Sequence, residues 1–241
     1  MDGVGAAIPY VLPALVAAAV DWYAVARSDK RLEYFAKPLT IVLLIAGVIA
    51  FEMGETEIVC VRAPCFDAHG FPDRELGLLV AALIFSLAGD VFLMLPRNLF
   101  VAGLVSFLGA HVSYIIAFQP SAPAREPLVI ATLVVLLVVG AIFYMQIRNG
   151  LVEKGKAALI PAVLVYIIVI SQMVASAVAN NAEPDFPRTQ ALIATAGALL
   201  FYSSDALIAW TRFVREIGWA PVAIHVTYHL AQVGLVLSFV R

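Results

Sequence analysis

Asp90 and Asp205 are carboxylates set in apolar runs, FSLAGDVFLML and FYSSDALIAW. Each is followed by nearly the same phrase, HVSY from His111 to Tyr114 and HVTY from His225 to Tyr228. The separations are 21 residues from Asp90 to His111 and 20 from Asp205 to His225. An arginine stands seven positions after each acid, Arg97 and Arg212. Two carboxyls that are buried and close together do not both ionise readily, so one keeps its proton near neutral pH while the other carries the charge. Such a pair can protonate a poor leaving group or an electron-rich alkene and stabilise the cation that results. Glycosidases divide the labour in this way on oxocarbenium-like transition states.

A vinyl ether suits the same chemistry, because protonation at its β-carbon also gives an oxocarbenium ion. A metal reading competes with it. His225 and His229 stand at i, i+4 on one helical face, a spacing that lets two imidazoles reach one Zn²⁺, with His111 or an aspartate as a third ligand. Histidine also serves as hydrogen-bonding glue between membrane helices, and no glutamate accompanies the pair. The chain carries no G-x-S-x-G elbow, Walker loop or H-E-x-x-H motif. The GVG at Gly3–Gly5 lacks the strand and helix of a dinucleotide site.

The elements that must position these groups are membrane spans. Of 241 residues 63% are hydrophobic and 13% charged, against about half and about a quarter in soluble domains. The net charge of −2 and the lack of a basic cluster exclude nucleic acid as the expected partner. A span needs about 20 mostly apolar residues. Eight runs qualify: Ile8–Ala26, Lys37–Phe51, Leu76–Leu95, Leu99–Phe118, Leu128–Ile147, Ala157–Ala179, Thr189–Trp210 and Trp219–Val240. The second is the shortest, and its Lys37 is expected to snorkel. The predicted fold class is an all-α integral membrane protein of eight transmembrane helices in one polytopic domain. The offset of four spans between the repeated phrases predicts a parallel 4+4 internal repeat, with halves 1–119 and 120–241.

One set of loops holds ten basic residues, Arg27, Lys30, Arg31, Lys37, Arg97, Arg148, Lys154, Lys156, Arg212 and Arg215. The other holds five, Arg62, Arg74, Arg125, Arg188 and Arg241. The bias places the first set in the cytoplasm and both termini outside, in the inner membrane if the cell is bacterial. Cys60 and Cys65 then lie in an outward loop, where a disulfide is permitted. Asp90 falls about 9 Å inside the basic end of its helix, six residues before Pro96. Asp205 and Asp21 sit at similar depth, with Lys37 and His225 near that layer and His111 and His229 nearer the midplane. A carboxylate in hydrocarbon faces the bundle interior or a wet cavity. Asp21 reads as an interfacial partner of Lys37 or Arg27. Trp22, Tyr23, Trp210 and Trp219 read as an aromatic belt.

Several segments together resemble the YhhN/TMEM86 family: KPL at Lys37–Leu39, SLAGDVFLML at Ser86–Leu95, GLVSFLGAHVSYIIAF at Gly103–Phe118, SSDALIAW at Ser203–Trp210 and YHLAQ at Tyr228–Gln232. The resemblance runs from the second span to the eighth. Its characterised members are lysoplasmalogenases with an eight-helix bundle, which implies hydrolysis of a lysoplasmalogen vinyl ether to a fatty aldehyde and glycerophosphoethanolamine or glycerophosphocholine. It implies that the two essential acids are Asp90 and Asp205, that Lys37, His111, Tyr114, Ser204, Tyr228 and Gln232 line the pocket, and that no cofactor takes part. His111 and His225 with their tyrosines would then hold the water, and Arg97, Arg212 and Lys37 would face the head group of a lysophospholipid. His229 departs from the family pattern, where an aromatic residue follows the tyrosine, and this weakens a zinc site. A lipid or small-molecule transporter built on parallel repeats and a zinc-dependent membrane hydrolase are the alternatives.

Overall fold

Each apolar run folds as one helix. The computed structural model describes residues 3–55, 58–59, 66–67, 73–96, 99–118, 126–184 and 186–240. The helices are α1 (Gly3–Ala26), α2 (Lys30–Glu55), α3 (Asp73–Met94), α4 (Phe100–Phe118), α5 (Pro127–Glu153), α6 (Ile160–Ala179), α7 (Arg188–Phe213) and α8 (Ala220–Ser238). All eight are long and apolar enough to cross a bilayer, and the protein is a multi-pass membrane protein. The one other regular feature among the described residues, apart from short 3₁₀ turns, is an antiparallel ladder in the α2–α3 loop, pairing Ile58 with Asp67 and Val59 with Phe66. Cys60, Cys65 and Arg97 lie outside the described residues.

The boundaries follow local chemistry. Asp29 Oδ1 accepts the backbone N–H groups of Arg31 and Leu32 at 3.1 Å each, and so starts α2 a full two turns before Lys37. The polar Lys30, Arg31 and Glu33 read as a loop, yet they form the first turns, and the shortest expected span is a 26-residue helix. Prolines sit in the first turn of α5, α6 and α8, where their missing N–H costs nothing. Beyond the end of α5, Gly155 takes φ +66°, a left-handed turn that suits glycine.

Sequential hairpins α1–α2, α3–α4, α5–α6 and α7–α8 pack closely, and the contacts close a cycle α1, α2, α3, α4, α6, α7, α8 and back to α1. Helix α5 leans on α6 and α7 outside that cycle. The expected 4+4 repeat is not confirmed, and the α1–α8 packing has no comparable α4–α5 counterpart among the described residues. The core inside the cycle is aromatic at its centre. Phe107, Phe201, Tyr114 and Tyr228 are buried and packed edge to face.

Small residues set the closest approaches. A Cβ on Gly150 would stand 1.9 Å from the Phe213 carbonyl oxygen, so α5 meets the end of α7 only through a bare backbone. Gly150→Ala is expected to lower stability by about 1–3 kcal/mol, seen as a lower thermal unfolding midpoint in detergent. Gly77→Ala, where a Cβ would meet nothing within 4 Å, serves as the control and is expected to leave the midpoint unchanged or higher.

Candidate active site

Helix α8 carries His225, Tyr228, His229 and Gln232, all buried, at spacings of three and four residues that put them on one face. That face meets Asp90 and Ser86, one turn apart on α3. Tyr228 donates its hydroxyl to Asp90 Oδ2 at 2.7 Å, and Gln232 Nε2 donates to Ser86 Oγ at 2.9 Å. Tyr114 of α4 donates to Gln232 Oε1 at 2.7 Å. Lys37 of α2 completes the group, its Nζ 3.0 Å from Asp90 Oδ1 and 5.6 Å from the centre of the Tyr228 ring. Asp90 is 0% exposed and Lys37 6%. This is an ion pair inside the bundle.

Asp205 has different company. Tyr166 of α6 donates to its Oδ2 at 2.5 Å, and His111 Nε2 of α4 stands 3.5 Å from the same oxygen. His111 is fully buried and packs against Phe201 and Tyr166. Asp90, Asp205 and Lys37 lie within electrostatic reach of one another.

The repeated phrases thus cross between halves. Asp205 meets the histidine of the first phrase, and Asp90 meets the tyrosine of the second. An apolar cleft runs from Asp205 and Tyr166 past Phe107, Gly140 and Phe143 to Phe213 at the basic end of the bundle. Asp205 and not Asp90 is on its described wall. Asp90 is off that wall: Phe107 lines the cleft, the Tyr228 ring packs on Phe107, and the Tyr228 hydroxyl donates to Asp90. Hollows beside it are lined by Arg212 and Lys156. There Arg212 sits 4.2 Å above the Phe100 ring, and Lys154 Nζ donates to the Arg212 carbonyl at 2.8 Å.

Several expectations are corrected. Lys37 does not snorkel to the surface or face a head group, because Asp90 holds it inside. Asp21 is no interfacial partner of Lys37 or Arg27. It is fully buried, with His225 Nδ1 2.6 Å from its Oδ2. Trp22 is half-buried, and its Nε1–H donates to His229 Nδ1 at 3.1 Å. Ser204 ties α7 to α8 through the Ile224 carbonyl at 3.1 Å. His111 sits with Asp205 while His225 and His229 sit with Asp21, so the three imidazoles do not converge, and the described residues hold no metal-ready cluster. Sequence reading missed Tyr166 altogether. Its signal was a single hydroxyl in the apolar stretch VLVYIIVI.

Residues 32–239 match the YhhN family. The chain belongs to that family. It is similar to lysoplasmalogenase TMEM86A of Homo sapiens, 32% identical over 184 residues, covering 72% of this chain and 71% of the relative. It is also similar to lysoplasmalogenase TMEM86B of Mus musculus, 29% identical over 164 residues, covering 68% of this chain, and to a lysoplasmalogenase of Mycobacterium bovis, 32% identical over 172 residues. The match spans 64% of the length of the Mus musculus protein and 61% of the mycobacterial one. No solved structure matches.

Removing the ammonium strands a buried carboxylate. Lys37→Met is expected to cost about 3–5 kcal/mol, read by thermal unfolding in detergent. Adding Asp90→Asn to that variant is expected to recover most of the loss, since the uncompensated charge is gone.

Proposed function

We propose that this protein is a lysoplasmalogenase: it hydrolyses the vinyl ether of a single-chain 1-alkenyl glycerophospholipid to a fatty aldehyde and a glycerophospho-alcohol. The observation that carries the reading is the unequal company of the two buried acids. Asp90 faces an ammonium and is the one to hold negative charge. Asp205 faces a phenol, borders the apolar cleft and is the one to deliver a proton. The family membership and the names of its relatives point the same way.

The lipid enters from the leaflet on the basic face, which the positive-inside bias assigns to the cytoplasm. Its phosphate lies toward Arg212 and Lys156, with Arg97 in the same loop set, and its chain follows the apolar cleft. Asp205 gives its proton to the β-carbon of the alkene, and the double-bond electrons form that C–H bond. The adjacent carbon becomes an oxocarbenium ion, which the negative charge of Asp90 stabilises across the Tyr228 ring. Water adds to this carbon. The Tyr228 hydroxyl takes the water's proton as it passes its own to Asp90. The hemiacetal then breaks its bond to the glycerol oxygen: ionised Asp205 takes the hemiacetal hydroxyl proton and passes it to that oxygen, which leaves as the alcohol while the aldehyde forms. Tyr166 and His111 hold Asp205 in line, and Tyr114, Gln232 and Ser86 fix α8 so that Tyr228 stays on Asp90. The chemistry needs no cofactor.

The purified protein in detergent is expected to release aldehyde from 1-alkenyl lysophosphoethanolamine and to leave the saturated 1-alkyl analogue intact. Asp90→Asn and Asp205→Asn are each expected to reduce turnover by about 100-fold or more, the range for removing an acid or base that moves a proton in the transition state. Tyr166→Phe is expected to retain part of the activity. Folded wild-type protein that releases no aldehyde would refute the reading, and a transporter would behave that way.

A further inference from the structure

A second apolar hollow lies on the flank of the cleft. It is a groove between α4 and α6, lined by Val105 and Leu108 on one side and by Ala162 and Val165 on the other. Leu104 and Tyr166 line both the groove and the cleft. Val105 is 61% exposed and Val165 49%, so the groove opens outward from a bundle whose surroundings are lipid. The boundary between groove and cleft is Leu104 and Tyr166, and the Tyr166 hydroxyl is bonded to Asp205.

Helices α4 and α6 both begin at the basic end, at Phe100 and Ile160. At about 1.5 Å per residue, Tyr166 lies about 9 Å along α6 and Leu108 about 12 Å along α4. Asp205 precedes Phe213, the last residue of α7, by two turns, which is also about 12 Å. Half of the hydrocarbon core is about 15 Å deep, so the groove runs from the interface to the level of Asp205 within one leaflet. At its interfacial end, Val101, one turn before Val105, and Leu159 line the hollow that also holds Lys156 and Arg212. On its α5 side the cleft is covered. There Phe143 packs on Trp210 with ring centres 5.2 Å apart, and the bare backbone of Gly150 rests on the Phe213 carbonyl.

We propose that the α4–α6 groove is the lateral slot by which the apolar chain of the lipid passes from the leaflet into the cleft, with its phosphate kept at the interface beside Lys156 and Arg212. The inference rests on the hydrolase reading for the identity of the lipid. A chain arriving from water at the basic end would first have to leave the bilayer, and every methylene exposed on the way costs free energy. It would also pass Arg212 and Lys154, which are joined there by a hydrogen bond. Sideways entry keeps the chain against hydrocarbon throughout. The chain crosses at Leu104 and Tyr166, and the ether reaches the level of Asp205 without the head group changing depth. Ala162 has the smallest side chain on the groove wall, so bulk added there narrows the slot most.

The test compares two 1-alkenyl lysophosphoethanolamines, one with a hexadecenyl chain and one with a water-soluble butenyl chain, on protein reconstituted in phosphatidylcholine vesicles. Ala162→Trp and Val165→Trp are each expected to lower kcat/KM on the hexadecenyl lipid by at least about tenfold and to change it by less than about twofold on the butenyl one. Val134→Trp, at an equally lipid-facing position on α5, is the control and is expected to match the wild type on both. The association rate of the saturated hexadecyl ether, which needs no turnover, is expected to fall in the two α6 variants as well. Wild-type behaviour of both variants on the long chain, an equal loss on both chain lengths, or an unchanged association rate would overturn the slot. If the tryptophan variants do not fold, Ala162→Leu and Val165→Phe decide by the same comparison. A folded wild type that releases no aldehyde would overturn the hydrolase reading, and the association rates would still decide the slot.

Discussion

A lysine and an aspartate paired inside a lipid-embedded bundle constrain everything around them. Each ion alone is costly to take out of water, and the pair is tolerable only with close geometry and further hydrogen bonds. Here Asp90 has Lys37 on one oxygen and the Tyr228 hydroxyl on the other. Those partners come from α2 and α8, so the charge on α3 fixes how three helices sit. The Tyr114–Gln232–Ser86 chain fixes α4 to the same centre. Polar networks of this kind inside a membrane protein are costly, and hydrocarbon in their place would satisfy a protein that had only to fold.

The two buried acids have unequal surroundings, and the proposed hydrolysis draws on that asymmetry. Asp90 is compensated and enclosed; Asp205 has a neutral donor and a place on the cleft wall. The proposed acid catalysis at an alkene assigns one part to each. Burial between aromatic rings keeps bulk water from levelling the difference, since charge interactions strengthen as water is excluded. The outer position of α5, leaning on α6 and α7, gives the apolar cleft its remaining wall without closing the α1–α8 cycle over it.

Much of this was legible in the residues. Twenty-residue apolar runs fix the helices, because lipid leaves the backbone no other partners, and prolines in the first turns mark three of the starts. The two acids and the repeated H-V-[S/T]-Y phrases marked the candidate site, since polar side chains at matched positions in hydrocarbon need a reason. Partner choice was not legible. Lys37 looked like a snorkelling residue because sequence gives depth along a helix and not the neighbour facing it, and α2 begins two turns earlier than its polar start suggested. Tyr166 carried no repeat to draw attention, and Asp21 looked interfacial because its histidine partner lies 204 residues away. Each error concerns a contact between helices distant in sequence.

The most direct measurement is an experimental structure with a saturated 1-alkyl lysophospholipid, whose ether cannot be protonated at carbon. The account expects the ether oxygen and its neighbouring carbon within hydrogen-bonding distance of Asp205, facing Tyr228, with the chain in the cleft between α4, α5, α6 and α7 and the phosphate at Arg212 and Lys156. A lipid bound with its ether remote from Asp205, or with its chain outside that cleft, would contradict it.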